Sequence, residues 1–226
     1  NVNGLRAAQK KGFVAWVLAQ NPDVLCLQET KVQLAVETHL QDIFPGYTCY
    51  FADAVKKGYS GTAIYTRHQP DRVVNQLGWP YADDEGRYVH IELGTLVVAS
   101  LYLPSGTTGD VRQSVKFDFM DRYFNQHLKP LKTPEHAKKK WILTGDWNIA
   151  HREIDIKNWR GNLKSSGFLP EERDWISHLL NEHYLIDAFR SVNPEPHQYT
   201  WWSYRARAWD SNAGWRIDYQ FVSPNL

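Results

Sequence analysis

Two polar residues with complementary hydrogen-bonding chemistry, Asp146 and Asn148, follow an apolar run in the segment WILTGDWNIAH. A carboxylate is an acceptor that can orient or deprotonate a water molecule, whereas an amide NH₂ can donate to a non-bridging phosphate oxygen. In an extended segment, residues two apart share a face, so both side chains can point toward one reacting group. The pair therefore indicates chemistry on a phosphate.

Two further carboxylates, Glu29 and Asp218, also lie within or directly after apolar, strand-like runs. Ligand sites in sheet proteins often gather at one end of several strands, where loops present polar groups without burying them unpaired. Mg²⁺ binds through one or two carboxylates and keeps several waters, so Glu29 with further oxygen ligands suits it. The alternative is that Asp146 caps a turn after Gly145 and that Glu29 caps the segment after its strand. Four such strand ends in one chain favour function.

The hydrophobic pattern predicts the elements that would position these groups. Apolar residues at helical spacing predict a helix over 5–20, and a second helix is predicted over 115–128. Strands are predicted at 24–27, 61–67, 87–93, 95–103, 141–146 and 216–223. Strands outnumber helices and the order is mixed, which favours two sheets covered by helices in a layered α/β or α+β fold.

Length, charge and cysteine content narrow the class of protein. At 226 residues without a Gly-, Ser- or Pro-rich linker, residues 1–226 are predicted to form a single domain. A formal net charge of +1 gives no global attraction to a polyanion, so any contact with nucleic acid must be local. The two cysteines suit a reduced compartment better than a disulfide scaffold, and no run approaches the roughly 18 apolar residues of a membrane span. We expect an intracellular protein.

Both ends of the sequence have the pattern of cut elements. Residues 1–4 resemble the exit of a strand whose body precedes them, and no closing element follows the strand predicted at 216–223. We therefore expect the sequence to lack a first strand and a C-terminal segment of the complete protein.

Nine segments, in order along the chain, resemble the motifs of the exonuclease III family of Mg²⁺-dependent apurinic/apyrimidinic endonucleases, within the larger endonuclease/exonuclease/phosphatase superfamily. Each segment alone would be weak, but nine in register are specific. They are NVNGLRA (1–7), PDVLCLQETK (22–31), GYSGTAIYTR (58–67), EGRYVHIEL (85–93), ASLYLPSG (99–106), LTGDWNIAHREIDIKN (143–158), SGFLPEERDW (166–175), YTWWSY (199–204) and GWRIDYQFVSP (214–224). The resemblance implies a four-layered α/β (α+β) sandwich with two packed mixed β-sheets flanked by helices.

The resemblance also implies roles for individual residues. Asn1 matches the asparagine of the opening motif, which helps to orient the metal and the catalytic carboxylates, and Glu29 matches the metal ligand in LQET. Tyr102 matches the active-site tyrosine near the scissile phosphate. Asp146 and Asn148 match the GDxN pair, of which the first aligns or activates the attacking water and the second serves the phosphate and the water.

A catalytic histidine is part of the same pattern. Asp218 matches the aspartate of RIDY, which in the family orients a histidine that follows in an SDH motif near the C-terminus. The sequence ends before such a motif, and none of its nine histidines stands in one. His151 in NIAH is predicted to be structural.

For substrate recognition, the resemblance implies a small apolar slot for a flipped-out sugar that lacks its base. Trp201, Trp215 and Ile217 match the positions that wall this slot, and Arg216 lies between two of them. The alternative is that the tryptophans are ordinary core aromatics, which we favour for Trp202. Candidates for phosphate contacts along the DNA backbone are Arg6, Tyr59, Lys157 and Arg160, although surface basic residues are more often simply solvated.

The activity that the resemblance implies is hydrolysis of the phosphodiester 5′ to abasic sites in duplex DNA, which leaves a 3′-hydroxyl. Exonuclease (3′–5′) and 3′-phosphodiesterase activities are also expected, with Mg²⁺ as cofactor and Mn²⁺ as a substitute. The expected partner is double-stranded DNA with abasic sites, with no membrane, and the chain is expected to be a monomer. The expected location is the bacterial cytoplasm, with the nucleoid, or the eukaryotic nucleus. Two alternatives stay open: a superfamily phosphoesterase for another substrate, such as a phosphoinositide or sphingolipid, and a catalytically silent DNA-binding module.

Overall fold

A computed structural model describes all residues from 1 to 226. The α-helices are α1 (Leu5–Lys10), α2 (Phe13–Gln20), α3 (Pro80–Asp84), α4 (Asp110–Tyr123), α5 (Pro170–Asn181) and α6 (Ala188–Val192). The strands are β1 (Val24–Gln28), β2 (Thr48–Ala52), β3 (Thr62–Thr66), β4 (Arg72–Val74), β5 (Tyr88–Leu93), β6 (Leu96–Tyr102), β7 (Lys140–Asp146), β8 (Ile186–Asp187), β9 (Trp201–Trp202), β10 (Gly214–Trp215) and β11 (Asp218–Val222). A π-helical segment, Phe124–Leu128, continues α4, and short 3₁₀ turns lie at Thr38–Leu40, Lys129–Lys132, His136–Lys138, Glu153–Asp155 and Trp159–Asn162. None of the helices combines the length and apolar character that crossing a lipid bilayer requires.

The chain divides into two compact units. The first consists of Asn1–Tyr102 and Lys139–Gly145, and the second of Leu103–Lys138 and Asp146–Leu226. Both units combine helices with β-structure, and the predicted α/β (α+β) class is confirmed. That residues 1–226 form a single domain stays a prediction.

In the first unit, two layers of strands pack against each other, and β3 is the central strand of one layer. Strands β1 and β2 both pair antiparallel with β3, and strands β4, β5, β6 and β7 are neighbours in that order. Alternate side chains of β3 point to opposite faces. Ile64 packs with Val89, Ile91 and Val98 of the second layer, whereas Tyr65 belongs to a cluster beneath α1 and α2. Both faces of β3 are therefore covered, which explains why all of its residues are buried.

Helix boundaries differ from the predicted pattern where glycine intervenes. The helix predicted over 5–20 is two helices, because Gly12 adopts φ +85°, a left-handed conformation that glycine reaches at little cost. The helix predicted over 115–128 begins earlier, at Asp110, and its last turn is π-helical. The strands predicted from apolar runs are present within two residues at each end.

The second unit holds two short antiparallel pairs and an apolar cluster. Strand β11 pairs with β8, and β10 pairs with β9, so that Trp215 lies opposite Trp201. Ala150, Ile156, Phe168 and Ile217 form the buried cluster, with Trp159 and Trp215 packed against it. This arrangement places the GWRID segment against the residues that follow the GDWN motif.

Candidate active site

A polar cluster forms around Glu29 at the end of β1. The Asn1 amide nitrogen donates to Glu29 Oε2 at 2.8 Å, and Lys31 Nζ lies 2.9 Å from Glu29 Oε1. Lys31 also donates to Asn3 Oδ1 at 2.5 Å, while the Asn3 backbone N–H donates to Asn1 Oδ1 at 2.8 Å. The predicted pair Asn1 and Glu29 is thus in direct contact. Because the Asn1 amide nitrogen faces the carboxylate, Asn1 is placed to orient Glu29.

The backbone of this cluster is in an uncommon conformation. Asn3, Glu29 and Lys31 all have φ between +45° and +58°, in the left-handed region that non-glycine residues seldom enter. Backbone hydrogen bonds hold it there, including Gly4 N–H to Glu29 O at 2.8 Å and Lys31 N–H to Ser60 O at 2.8 Å. Such strained residues concentrate at functional sites. The local backbone therefore supports a functional interpretation of Glu29.

A buried arginine, Arg87, joins the two predicted tyrosines. Its guanidinium lies 4.6 Å from the ring centroid of Tyr102, donates to the Tyr102 carbonyl at 3.0 Å and donates to the Tyr59 hydroxyl at 3.2 Å. Glu85 accepts from Arg87 Nε at 2.6 Å and balances its charge. The sequence analysis did not single out Arg87, although it lies in the EGRYVHIEL segment. Tyr59 and Tyr102 are held together by this one side chain.

Asp146 and Asn148 are joined by a tight turn directly after β7. Asp146 is buried, and its Oδ1 accepts the backbone N–H of Asn148 at 2.9 Å. The Asn148 amide nitrogen donates to Leu103 O at 2.7 Å, which uses one of its two N–H bonds. The second N–H can donate a hydrogen bond to a phosphate oxygen. The turn therefore holds an acceptor and a donor two residues apart.

The geometry of this pair differs from the extended segment that the sequence analysis assumed. Strand β7 ends at Asp146, and Asn148 has φ +51°, so a left-handed turn brings the two residues together. The capping alternative for Asp146 is observed, because its carboxylate accepts the backbone N–H of Asn148, whereas its catalytic role stays a prediction. Gly145 precedes the pair because a Cβ there would lie 1.9 Å from Leu101 O.

Asp218 begins strand β11 and is half-buried. Thr200 Oγ1 accepts the backbone N–H groups of both Ile217 and Asp218, at 3.1 Å and 3.2 Å. Thr200 also donates its own backbone N–H to Trp215 O at 2.9 Å. The threonine, which sequence analysis did not single out, thus fixes the segment that carries Asp218.

Of the predicted slot residues, Trp201 and Trp215 meet edge to face, with ring centroids 6.3 Å apart. Trp201 is 42% exposed, which is unusual for a residue that serves only a core. Trp215 is half-buried, and Ile217 is buried in the cluster beneath it. Trp202 instead bonds to Asn212 Oδ1 and packs on Trp209. Trp201 thus packs against Trp215, which in turn packs against the cluster that contains Ile217.

Arg216 has a different place from the one predicted. The residue is only 2% exposed, and its guanidinium group donates to Asp155 Oδ1 at 2.7 Å and to Asp187 Oδ2 at 2.8 Å. Although burial alone would raise the pKa of Asp155, hydrogen bonds from Arg216 and Arg190 and the charge of Arg216 hold it below its usual value. The substrate contact predicted for Arg216 is therefore corrected to an internal ion pair that anchors the segment between Trp215 and Ile217.

The remaining basic candidates lie at the surface. Arg6 is exposed and pairs with Glu37 at 2.6 Å, and Arg160 is exposed with its guanidinium 4.4 Å from the Trp159 ring centroid. Lys157 is exposed as well. His151 is buried, its Nε2 lies 2.8 Å from Ser177 Oγ, and burial lowers its pKa to about 4. That environment fits the structural role predicted for His151.

Glu29 offers one carboxylate to a hard divalent cation, and the structure contains no group of three or more His, Cys, Asp or Glu side chains that could hold a metal ion. Glu29 is a partly exposed carboxylate, and the ammonium group of Lys31 already lies against one of its oxygens. A cation at this position is therefore electrostatically favourable, and a single carboxylate with bound waters is a common way to hold Mg²⁺. Asn1 would keep the carboxylate in position.

A family model described as the Endonuclease/Exonuclease/phosphatase family matches residues 1–226. The chain belongs to this family. The relationship that the sequence motifs indicated is thereby confirmed.

Curated members of the Endonuclease/Exonuclease/phosphatase family resemble the chain along its whole length. It is 39% identical over 229 residues to an exodeoxyribonuclease of Bacillus subtilis, with 100% of this chain and 87% of the relative covered. It is 38% identical over 229 residues to a DNA-(apurinic or apyrimidinic site) endonuclease of Dictyostelium discoideum, of which it covers 62% with 100% of its own length.

Solved structures of the family agree with the fold. An AP endonuclease from Archaeoglobus fulgidus matches with a TM-score of 0.85 and 25% identity, over 100% of this chain and 85% of that one. A 3′-5′ exonuclease from Neisseria meningitidis matches with a TM-score of 0.82 and 28% identity, over 100% of this chain and 86% of that one.

Proposed function

We propose that this chain is a DNA repair nuclease that hydrolyses the phosphodiester 5′ to an abasic site in duplex DNA and leaves a 3′-hydroxyl. The observation that carries the proposal is the turn at Asp146 and Asn148, which fixes a carboxylate acceptor beside an amide donor. Curated relatives named as exodeoxyribonuclease and as DNA-(apurinic or apyrimidinic site) endonuclease support the choice of substrate.

The proposed roles follow from hydrogen-bonding capacity. The Asp146 carboxylate accepts a proton from the attacking water or orients it, and the Asn148 amide donates to a non-bridging oxygen of the phosphate. The Tyr102 hydroxyl is assigned to the scissile phosphate, and Arg87 holds the residue through its ring and its backbone carbonyl. Asp218 is assigned the role of orienting a catalytic histidine. Donors fixed in advance stabilise charge that develops in the transition state.

Mg²⁺ is the proposed cofactor, held by Glu29 with Asn1 as its orienting neighbour, and Mn²⁺ is the expected substitute. When bound, the metal ion supplies Lewis-acid stabilisation of the phosphoryl oxygens. Glu29 would hold the metal through the oxygen that now contacts Lys31, and the 2.8 Å hydrogen bond from Asn1 would keep the other carboxylate oxygen aligned.

Recognition of the abasic sugar is assigned to the apolar surface of Trp201, Trp215 and Ile217. A sugar without its base can enter a small apolar slot, whereas a normal nucleotide carries a base that must also be accommodated. The exposed indole of Trp201 offers a stacking surface, and Trp215 closes it at a right angle. Arg6, Tyr59, Lys157 and Arg160 are proposed as contacts to the DNA backbone.

A second activity, removal of blocking groups or nucleotides from DNA 3′ ends, has its own support. Two structures that the fold matches at 28% identity are titled as a 3′ phosphatase from Neisseria bound to a product DNA hairpin and as a 3′-5′ exonuclease. All of these reactions hydrolyse a phosphate ester of DNA, so the same donor and acceptor would serve. We further propose that the protein acts as a monomer inside the cell, in the compartment that holds the DNA.

The proposal is tested with an end-labelled duplex that carries one abasic site, incubated with the protein in chelator and then with Mg²⁺ or Mn²⁺. We expect a nick 5′ to the abasic site that requires the metal, little cleavage of the intact duplex, and slow turnover of inositol phosphates. Full activity in excess chelator would refute the metal assignment. Preferential hydrolysis of inositol phosphates would instead favour the phosphoesterase alternative.

A further inference from the structure

A fully buried ion pair lies behind the Asp146–Asn148 turn. Lys116 of α4 and Glu172 of α5 each have 0% of their side chain exposed, and Lys116 Nζ lies 2.6 Å from Glu172 Oε1. Lys116 Nζ also donates to the backbone carbonyl of Asn148 at 2.8 Å. The ammonium group of the pair therefore contacts the residue that is proposed to hold the phosphate.

The negative end of the pair holds a different segment. Glu172 Oε2 accepts the backbone N–H groups of Gly167 and Leu169, at 2.6 Å and 3.0 Å, and Oε1 also accepts from Gln113 Nε2 at 3.1 Å. Oε2 thus holds the loop that precedes α5, and Oε1 holds two side chains of α4. The loop belongs to the SGFLPEERDW segment, for which the catalytic chemistry gives no other role.

Gly167 brings the two ends of this system together. Its backbone has φ +91°, and a Cβ there would lie 3.1 Å from Asn148 O and 3.2 Å from Trp215 Cζ3. The Gly167 carbonyl accepts the backbone N–H of Ala150 at 2.8 Å. The loop held by Glu172 is therefore in contact with both the catalytic turn and a wall of the proposed sugar slot.

Such a pair is not explained by stability alone. The desolvation of two buried charges commonly cancels their attraction, and apolar side chains of similar volume often stabilise a fold equally well. Burial also lowers the pKa of Lys116, as expected when the charged form is costly. Asn148, meanwhile, has φ +51° and needs outside contacts to keep that conformation. A directed donor at its carbonyl supplies one.

We propose that Lys116 and Glu172 are positioning residues for the reaction, which fix the Asn148 amide and the Trp215 wall in one geometry through the Asn148 carbonyl and the Gly167 loop. The inference rests on the proposed function, because it assumes that Asn148 serves the phosphate. Neither residue touches the substrate. Their effect passes through the backbone of residues that do.

The decisive variant is the double substitution K116M/E172Q. Both charges disappear together, the volumes are nearly conserved, and the amide oxygen introduced by E172Q can still accept the Gly167 N–H, so the fold should survive. We expect kcat on abasic duplex to fall on the order of 10-fold to 100-fold, as for small misplacements of a reacting group, while the Kd for DNA stays within about twofold. The single variant E172Q would leave the Lys116 ammonium group buried without its carboxylate and should destabilise the fold, so it does not replace the double variant.

A matched control is available in the first unit. Lys139 pairs with Glu92 at the same 2.6 Å distance, so K139M removes an ion pair by the same Lys-to-Met change outside the proposed machinery. Its kcat should stay near that of the wild type. Amide hydrogen exchange gives a readout that needs no activity: peptides that cover 146–150 and 166–169 should exchange faster in K116M/E172Q and not in K139M.

A folded K116M/E172Q protein with wild-type kcat and unchanged exchange overturns the positioning role. An equal loss of kcat and of DNA affinity, or an equal loss in K139M, also overturns it, because both indicate a general effect on the fold. If the wild type cleaves neither abasic nor 3′-blocked DNA, the proposed function fails, and the exchange measurement then decides by itself whether the pair fixes the turn.

Discussion

The Glu29 cluster and the Asp146–Asn148 turn are built on opposite principles. The ion pair at Glu29 is partly exposed, with 20% of the Glu29 side chain and 35% of the Lys31 side chain accessible. The turn is backed by a pair with no exposure at all. Surface ion pairs contribute little and exchange readily, whereas a buried pair fixes its surroundings and is costly to break. The first region suits a metal that must enter, and the second suits a geometry that must not change.

The largest expected effect is at the Asp146–Asn148 turn. In N148A the phosphate loses its amide donor and in D146A the water loses its acceptor, so kcat should fall by roughly 10²-fold or more while DNA affinity changes little. Added Mg²⁺ should not restore activity. Steady-state kinetics with a separate DNA-binding measurement checks this. N125A, an exposed asparagine substitution on the π-helical segment, is the control. Equal losses of turnover and affinity would show that the two residues only maintain the fold.

The next largest effect is expected at the Glu29 cluster. E29Q keeps the shape and the contact with Asn1 but weakens the metal ligand, so the Mg²⁺ concentration for half-maximal activity should rise by roughly 10-fold to 100-fold, as is common when a metal site is perturbed. Because this region is open, high Mg²⁺ should recover part of the activity. Magnesium titrations of E29Q and N148A side by side test the contrast. Identical responses to Mg²⁺ in the two variants would remove it.

The same contrast explains what the sequence could predict. Apolar runs predicted β1, β3, β5, β6, β7 and β11 and therefore the residues at their ends. Strands β8, β9 and β10 have two residues each and show no periodicity, so they were missed, as were β2 and β4. Asp146 and Asn148 were predicted to share one face of an extended segment. The turn that joins them was not predicted, because a left-handed asparagine leaves no hydrophobic pattern.

Charged residues were harder to place. Charged side chains are seldom fully buried unless paired. Lys116 and Glu172 are 56 positions apart, and only the folded chain shows that each compensates the other. Arg87 and Arg216 were misjudged or overlooked for the same reason, since their carboxylate partners are defined by the fold. Glu29 was easier, because a strand end needs no distant partner to be recognised.

The buried region should also be the more sensitive to acid. Burial, with a smaller contribution from Arg152, lowers the folded-state pKa of His151 from 6.5 to about 4, so the folded protein binds fewer protons than the unfolded chain between these values. The contribution is fully present above pH 6.5 and is lost as pH falls toward 4. At pH 5.5 the loss is on the order of 1 kcal/mol. Urea unfolding of the wild type and H151Q from pH 7.5 to 4.5 measures it. A stability difference that does not change with pH would contradict this environment for His151.

The smallest expected effect concerns Lys31, the cation that already lies against Glu29. If a metal ion must displace this ammonium group, K31M should bind the metal more tightly. The gain should be small, because the ion pair that is removed is partly exposed. A partly exposed ion pair is worth up to about 1 kcal/mol, so the gain should be roughly twofold to fivefold. Titration with Mn²⁺, followed by its paramagnetic resonance signal, measures binding without DNA, and K10M, on the last turn of α1, controls for the general loss of a nearby surface charge. Unchanged or weaker Mn²⁺ binding in K31M would mean that Lys31 does not compete for the metal position and that Glu29 is less adjustable than its exposure suggests.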